Sequence, residues 1–189
     1  MNHPSHLLSS GTLLVATPAH TDPIYKRAVI LLCEHSVAAG SFGLMINKSI
    51  SVELPEENNQ LPDLSHPKIT TLCGGKMQPG QMMILHTSLN HPIQTLKVID
   101  QVYLGGDIQF LQDCLDDESC KKIYLCFGYI GWLATELEKE IMQGKWIAYP
   151  GTKELIFDTP RDLLWQTVLE KMGGKYSSMA SIPDDLSLN

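Results

Sequence analysis

The sequence predicts an α+β fold in a single domain of 189 residues. Short apolar runs bounded by glycine and proline recur from Thr12 to Phe157, which is the pattern of strands. The longer segments with helical spacing come from Asp107 onward. The order is strands first, then strands mixed with helices, without the regular βαβ alternation of a doubly wound sheet. A chain of this length buries about 70% of the surface its unfolded form exposes, so apolar burial can hold it together without metal or disulfides.

Thr12 to Ala16, closed by Thr17-Pro18, predicts a buried strand. Asp22-Pro23-Ile24-Tyr25 predicts a turn or a single helical turn. Arg27 to Glu34 is apolar, partly β-branched and too short for a buried helix, so it predicts a central strand. Phe42 to Asn47 follows after the break at Ala39-Gly40-Ser41, close enough for an antiparallel hairpin. Ile50 to Pro67 is the most polar stretch and predicts a surface excursion, with one short helix around Val52 to Glu57. Ile69 to Leu72, Met82 to His86 and Gln101 to Leu104 are three short strands punctuated by glycine pairs and Pro79-Gly80. Asp107 to Leu115 predicts a helix with Ile108, Leu111 and Leu115 on one face, and Lys122 to Tyr129 a strong strand.

Trp132 to Gln143 predicts a helix, because Leu133, Leu137 and Ile141 recur at every fourth position and Gly144 suits its C-terminal end. Lys145 to Tyr149 and Glu154 to Phe157 predict two strands. Pro160 to Met172 predicts a last helix, with Thr159 as N-cap, Asp162 in the first turn and Gly173 as terminator. The organisation expected is a flexible lead-in over residues 1–10, one domain over 11–176 and a polar tail over 177–189.

Hydrophobic residues at 43% and charged residues at 19% argue against a disordered chain. The net charge is −7, with only 14 Lys and Arg. The densest basic pairs, Lys26-Arg27 and Lys121-Lys122, are too short for a phosphate-binding stripe, so direct DNA binding is disfavoured. No run approaches the ~18 apolar residues of a membrane span, and Met1 to Ser10 lacks the features of a signal peptide. The five cysteines show no C-x-x-C spacing, which excludes a zinc knuckle or a thioredoxin-like motif. Cys33 and Cys126 lie inside apolar runs as small core residues, so reduced thiols and a cytoplasmic location are expected.

Signatures of known chemistry are incomplete. Cys73 to Gly80 carries glycines and a lysine in the wrong order for a P-loop, and G-x-G-x-x-G and G-x-S-x-G are missing. Two candidate ligand sites remain. Gly128-Tyr129-Ile130-Gly131-Trp132 predicts a glycine-rich strand-to-helix turn, whose free N–H groups suit an anion. Glu34 and His35 end one strand and His86 ends another; with Asn47 they would form a polar rim cluster if the strand ends meet. No metal site and no cofactor is implied.

Taken together, these motifs resemble the AlgH-like (YqgE-like) bacterial family. The resemblance rests on Gly11 to Pro18 with Asp22-Pro23, Val29 to His35 ending in Cys-Glu-His, Gly43 to Lys48, Gly74-Gly75 with Gln78-Pro79, Leu85-His86, Gly128 to Trp132 with Leu137-Glu138 and Glu140, Trp146, and Phe157 to Pro160. Order and spacing carry it from about residue 11 to 174; the tail Ser177 to Ala180 departs from the family pattern. The resemblance implies an α+β domain with a branched, partly barrel-like mixed sheet surrounded by helices. Family members are often labelled transcriptional regulators, and the family supplies no catalytic or binding residues to carry over. The leading expectation is a non-enzymatic cytoplasmic regulatory or protein-interaction protein. The alternative is a small-ligand-binding protein or enzyme that uses the rim around Glu34 and His35.

Overall fold

The computed structural model describes residues 8–51 and 61–181. The strands are β1 (Thr12–Ala16), β2 (Val29–Ser36), β3 (Gly40–Met45), β4 (Ile69–Cys73), β5 (Met77–His86), β6 (Leu96–Ile99), β7 (Val102–Leu104), β8 (Ile123–Trp132) and β9 (Trp146–Pro150). The helices are α1 (Ile108–Asp116), α2 (Glu136–Met142), α3 (Arg161–Met172) and α4 (Lys175–Ala180). A 3₁₀ turn at Pro23–Tyr25 is capped by Asp22, whose carboxylate accepts the Ile24 N–H. The short helix expected around Val52 to Glu57 lies outside the described residues.

The strands form one sheet in the order β6-β7-β5-β8-β3-β2-β1-β9, and β4 branches off by pairing with β8. Only the β4–β8 pair is parallel among these pairings. The sheet is therefore mixed and branched, as the resemblance implies. It stays open, with β6 at one end and β9 at the other, rather than closing into a barrel.

Why β1 and β2 read as unbroken apolar runs is clear from their faces. Alternate residues point to opposite sides of a sheet. Leu13, Val15, Leu31 and Cys33 enter one core, covered by α3 and α4. Leu14, Ala16, Ile30 and Leu32 enter a second, covered by Leu137 of α2. Both faces are buried, so no polar alternation survives. A third core forms where Phe110, Leu111 and Cys114 of α1 pack on Ile123, Leu125 and Ile84. Asp107 caps α1 by accepting the Phe110 N–H at 2.8 Å, and Lys68 Nζ closes its other end on the carbonyls of Cys114, Leu115 and Asp117.

β8 joins the three cores. Ile123 and Leu125 face the α1 core, while Tyr124 and Cys126 face the α3 core. Past Gly128, Ile130 and Trp132 face the α2 core instead. Even-numbered residues thus change partners within one strand. The change is made at Gly128, whose φ of +74° bends the strand from its pairing with β4 and β5 toward β3. A Cβ there would lie 2.5 Å from the Gly75 carbonyl oxygen and 2.8 Å from that of Met77.

Several expectations change on folding. Glu154–Asp158 is a single π-helical turn, not a strand; Leu155, Ile156 and Phe157 are all buried, which a flat strand edge would not allow. Tyr124 Oη and Lys122 Nζ hold it by donating to the carbonyls of Ile156 and Phe157 at 2.8 and 2.7 Å. The predicted helix at Trp132 begins only at Glu136, because β8 runs on through Trp132 to pair with Ser41. Leu133 is consequently 79% exposed rather than part of a buried stripe. The α3 N-cap is Pro160, not Thr159. Strand β6 was not anticipated, and residues 177–180 belong to α4.

Replacing Gly128 with alanine should cost roughly 3 kcal/mol or more, from left-handed backbone strain plus backbone overlap. Gly80→Ala is the control, since nothing lies within 4 Å of its Cβ position, and it should change stability by less than about 0.5 kcal/mol. Urea denaturation of both variants checks the difference.

Candidate functional site

β2 carries a bulge between Leu32 and Glu34. Bulges re-aim the side chains that follow them. After it, Glu34 is exposed and His35 lies opposite Ser41 of β3. Ser41 in turn pairs with Trp132 of β8. His35, Ser41 and Trp132 therefore stand in one row across three strands, on the face covered by α2.

This row forms the floor of an open cleft of about 700 Å³. Its walls are Ser9 and Ser10 before β1, Glu34 to Ser36 of β2, Phe42 of β3, and Leu96 and Lys97 of β6. Ser10 ties the wall together: its hydroxyl contacts the carbonyls of Cys33 and Val98 at 2.7 and 2.9 Å. Lys97 pairs with Asp100 at 3.1 Å, so the only lysine among the described lining residues is already neutralised.

His35 is held at both ring nitrogens. Nδ1 lies 2.8 Å from Ser41 Oγ, and Nε2 lies 3.5 Å from Glu138 Oε1 on α2. The His35 side chain is only 9% exposed. α2 itself is fixed by Glu140. Its Oε2 accepts the indole N–H groups of Trp132 and Trp146 at 2.9 and 2.7 Å, and its Oε1 meets Lys145 Nζ at 3.1 Å. Burial pushes the Glu140 carboxyl up, but the donors of Trp146, Trp132 and Lys145 outweigh it and leave it below its ordinary value. One partly buried carboxylate thereby anchors Trp132 beneath the cleft.

The other candidates lie elsewhere. Asn47 sits at the opposite end of β2, where its Oδ1 accepts the Val29 N–H and its Nδ2 donates to the Arg27 carbonyl, both at 2.8 Å. Six residues of strand, about 20 Å, separate Val29 from His35. His86 pairs with Ile123, at the far end of β8 from Trp132. It is fully buried between Tyr103 and Phe110, with both ring nitrogens unpartnered. Burial and then the nearby His91 lower its pKa to about 4. The four-residue rim cluster therefore does not assemble; only Glu34 and His35 meet.

Gly128 to Trp132 is strand rather than a strand-to-helix turn, so it presents no helix N-terminus to an anion. Trp132 nevertheless joins Glu34 and His35 in the cleft. Tyr129 packs edge-on against Phe42, a wall residue, at 6.3 Å. Gly131 lies opposite Phe42, and Gly128 supplies the bend. Two site residues were missed. Ser41 had a signal: counting outward from the centre of the 36–40 turn pairs it with His35. Glu138 had none, because it arrives from a helix about a hundred residues later. Among the described residues, no group of three or more His, Cys, Asp or Glu is placed to hold a metal ion. No helix among them is long and apolar enough to cross a membrane.

The profile of a family described as AlgH-like matches residues 13–177. A UPF0301 protein of Chlamydia pneumoniae is 44% identical over 189 residues, covering 100% of both chains. A UPF0301 protein of Shewanella frigidimarina is 28% identical, covering 89% of this chain and 93% of its own. The solution structure of the AlgH protein from Pseudomonas aeruginosa superposes with a TM-score of 0.73 at 24% identity, covering 98% of each chain. A crystal structure from Corynebacterium diphtheriae gives 0.73 at 19% identity, covering 93% of each, and supports the same fold.

Removing the Glu140 carboxylate by Glu140→Ala leaves two buried indole donors unpaired and should cost about 2–4 kcal/mol in urea denaturation. Lys145→Ala, which removes only a partly exposed partner, should cost less than about 1 kcal/mol.

His86 supplies a pH test. The unfolded state takes up its proton near pH 6.5, the folded state only near 4. Stability should therefore be full above 6.5 and fall between 6.5 and 4, by up to about 3 kcal/mol from this residue. His86→Leu should flatten that part of the acid limb, measured by urea denaturation from pH 7.5 to 4.5.

Proposed function

This chain belongs to the AlgH-like family, and from that premise we propose that it is a ligand-binding regulatory protein whose cleft at the β2–β3–β8 row takes a small neutral molecule. The observation that carries the reading is the cleft itself. A volume of about 700 Å³ falls in the range of small-molecule sites. Its lining combines the serine hydroxyls of Ser9, Ser10, Ser36 and Ser41 with the Glu34 carboxylate, the His35 ring and the apolar surfaces of Phe42 and Trp132.

Charge narrows the ligand. Among the described lining residues the one lysine is paired with Asp100 and the Glu34 carboxylate adds negative charge, so a phosphate or nucleotide is disfavoured. A neutral compound bearing hydroxyl or amide groups can donate to Glu34 and exchange hydrogen bonds with the serines. Regulation would pass from the cleft to a protein partner. The exposed Val37 and Leu133, beside the hairpin tip and the end of β8, supply apolar surface for such a contact. Action in the cytoplasm is part of the proposal and is supported by the five free thiols, which a reducing compartment preserves.

The test is ¹H–¹⁵N chemical-shift mapping against a library of small neutral polyols, amides and esters. Shifts should concentrate at residues 9–10, 33–42 and 132. Glu34→Ala with His35→Ala should weaken the best binder at least about tenfold, the loss of one good hydrogen bond. Binding that maps outside the cleft, or that ignores both substitutions, would sink the reading.

A further inference from the structure

We infer that Ser41 is an activated nucleophile, with His35 as its general base and Glu138 as the group that orients His35, and that the cleft accepts acyl compounds of the ester class. The inference rests on the reading that the cleft admits small neutral molecules.

The three side chains arrive from three elements. Ser41 and His35 are cross-strand partners on β3 and β2, and Glu138 descends from α2. Ser41 Oγ lies 2.8 Å from His35 Nδ1, and Glu138 Oε1 lies 3.5 Å from Nε2. Nucleophile, base and orienting acid within reach of one another is the arrangement that activates a hydroxyl, and such contacts are often loose before substrate binds.

Hydrogen-bond chemistry decides the direction of the relay. An ionised carboxylate only accepts. Glu138 Oε1 is buried and has no hydrogen-bond partner in this geometry; His35 Nε2 approaches it to 3.5 Å. We place the proton on Nε2, the tautomer that offers this unpartnered carboxylate oxygen a donor. In the neutral imidazole Nδ1 is then the acceptor, and it must take the Ser41 O–H. The hydroxyl is polarised toward the base, with its oxygen open to the cleft that Ser41 lines. The two ring nitrogens are used in the opposite sense to the serine-protease triad, but the roles are the same.

The chemistry balances without a cofactor. Ser41 Oγ attacks the ester carbonyl carbon while its proton passes to His35 Nδ1. Glu138 stabilises the resulting imidazolium. The bond from carbon to the alkoxy oxygen breaks, and His35 returns the proton to the leaving alcohol. A water molecule, deprotonated by His35, then attacks the acyl carbon; the bond from carbon to Ser41 Oγ breaks, His35 returns the proton to Oγ, and the carboxylic acid leaves. The sum is ester plus water to acid plus alcohol.

The probes are a fluorophosphonate and p-nitrophenyl acetate, applied to the full chain. With the fluorophosphonate, a bond forms between Ser41 Oγ and phosphorus, fluoride leaves and His35 takes the proton. Intact-mass spectrometry should show one phosphonyl group, mapped by peptide digestion to Ser41 and missing in Ser41→Ala. His35→Ala should slow labelling at least about 100-fold, the lower bound for loss of a general base. Free imidazole should restore labelling to His35→Ala but not to Ser41→Ala, an outcome a purely structural histidine would not give. Glu138→Gln should slow p-nitrophenyl acetate turnover at least about tenfold. Failure of the folded wild-type protein to label, or labelling that persists in Ser41→Ala, would overturn the inference. If the neutral library still shifts the cleft residues while no adduct forms, the nucleophile is excluded and the ligand-binding reading stands; if neither occurs, both fall.

Discussion

β8 must change partners halfway along its length. Its first half pairs with β4 and β5, and its last three residues pair with β3. A strand has only two edges, so a third partner requires that one edge be released and re-used. Gly128 makes this possible, because a left-handed backbone there turns the chain without a Cβ colliding with the carbonyls of Gly75 and Met77. The three cores, the branch in the sheet and the placement of Trp132 beside Ser41 all follow from that bend.

The second constraint is the Glu140 carboxylate. A seven-residue helix has little intrinsic stability. Two indole donors and one ammonium converge on Glu140, and Leu137 is fully buried, so α2 is held from several sides. Glu138, two residues earlier, reaches His35 because of this anchoring. A stability feature and a site feature are thus built on the same turn of helix. The bulge in β2 does the complementary work from below, ending the buried run at Cys33 and delivering Glu34 and His35 to the cleft.

His86 and Asn47 show how polar residues at strand ends divide between structure and site. Asn47 satisfies a backbone N–H and a carbonyl where β2 begins. His86 is a neutral ring stacked among aromatic neighbours, and its burial keeps it uncharged well into the acid range. Neither faces the cleft. The residues proposed to act are those that the hairpin and α2 bring into one row.

Local chemistry in the sequence determined much of the fold. The unbroken run at residues 12–16, the hairpin between β2 and β3, the Asp22-Pro23 turn and the Gly173 terminator are set by side-chain periodicity and by backbone preferences that act over a few residues. Glu34 and His35 were legible at a strand end for the same reason. What only the tertiary structure decided depends on distant partners. Three consecutive apolar residues at 155–157 fit strand and helix equally well, and their common burial against β8 selected a π turn. Trp132 has the spacing of a helix start but became strand because Ser41 lay opposite it. Glu138 gained its role from a helix docked by Glu140, and Asn47 and His86 lost theirs because strand direction put them at the wrong ends. Sequence sets what each segment can form; the choice among equal local options, and which side chains share a cleft, was made by contacts between residues far apart in the chain.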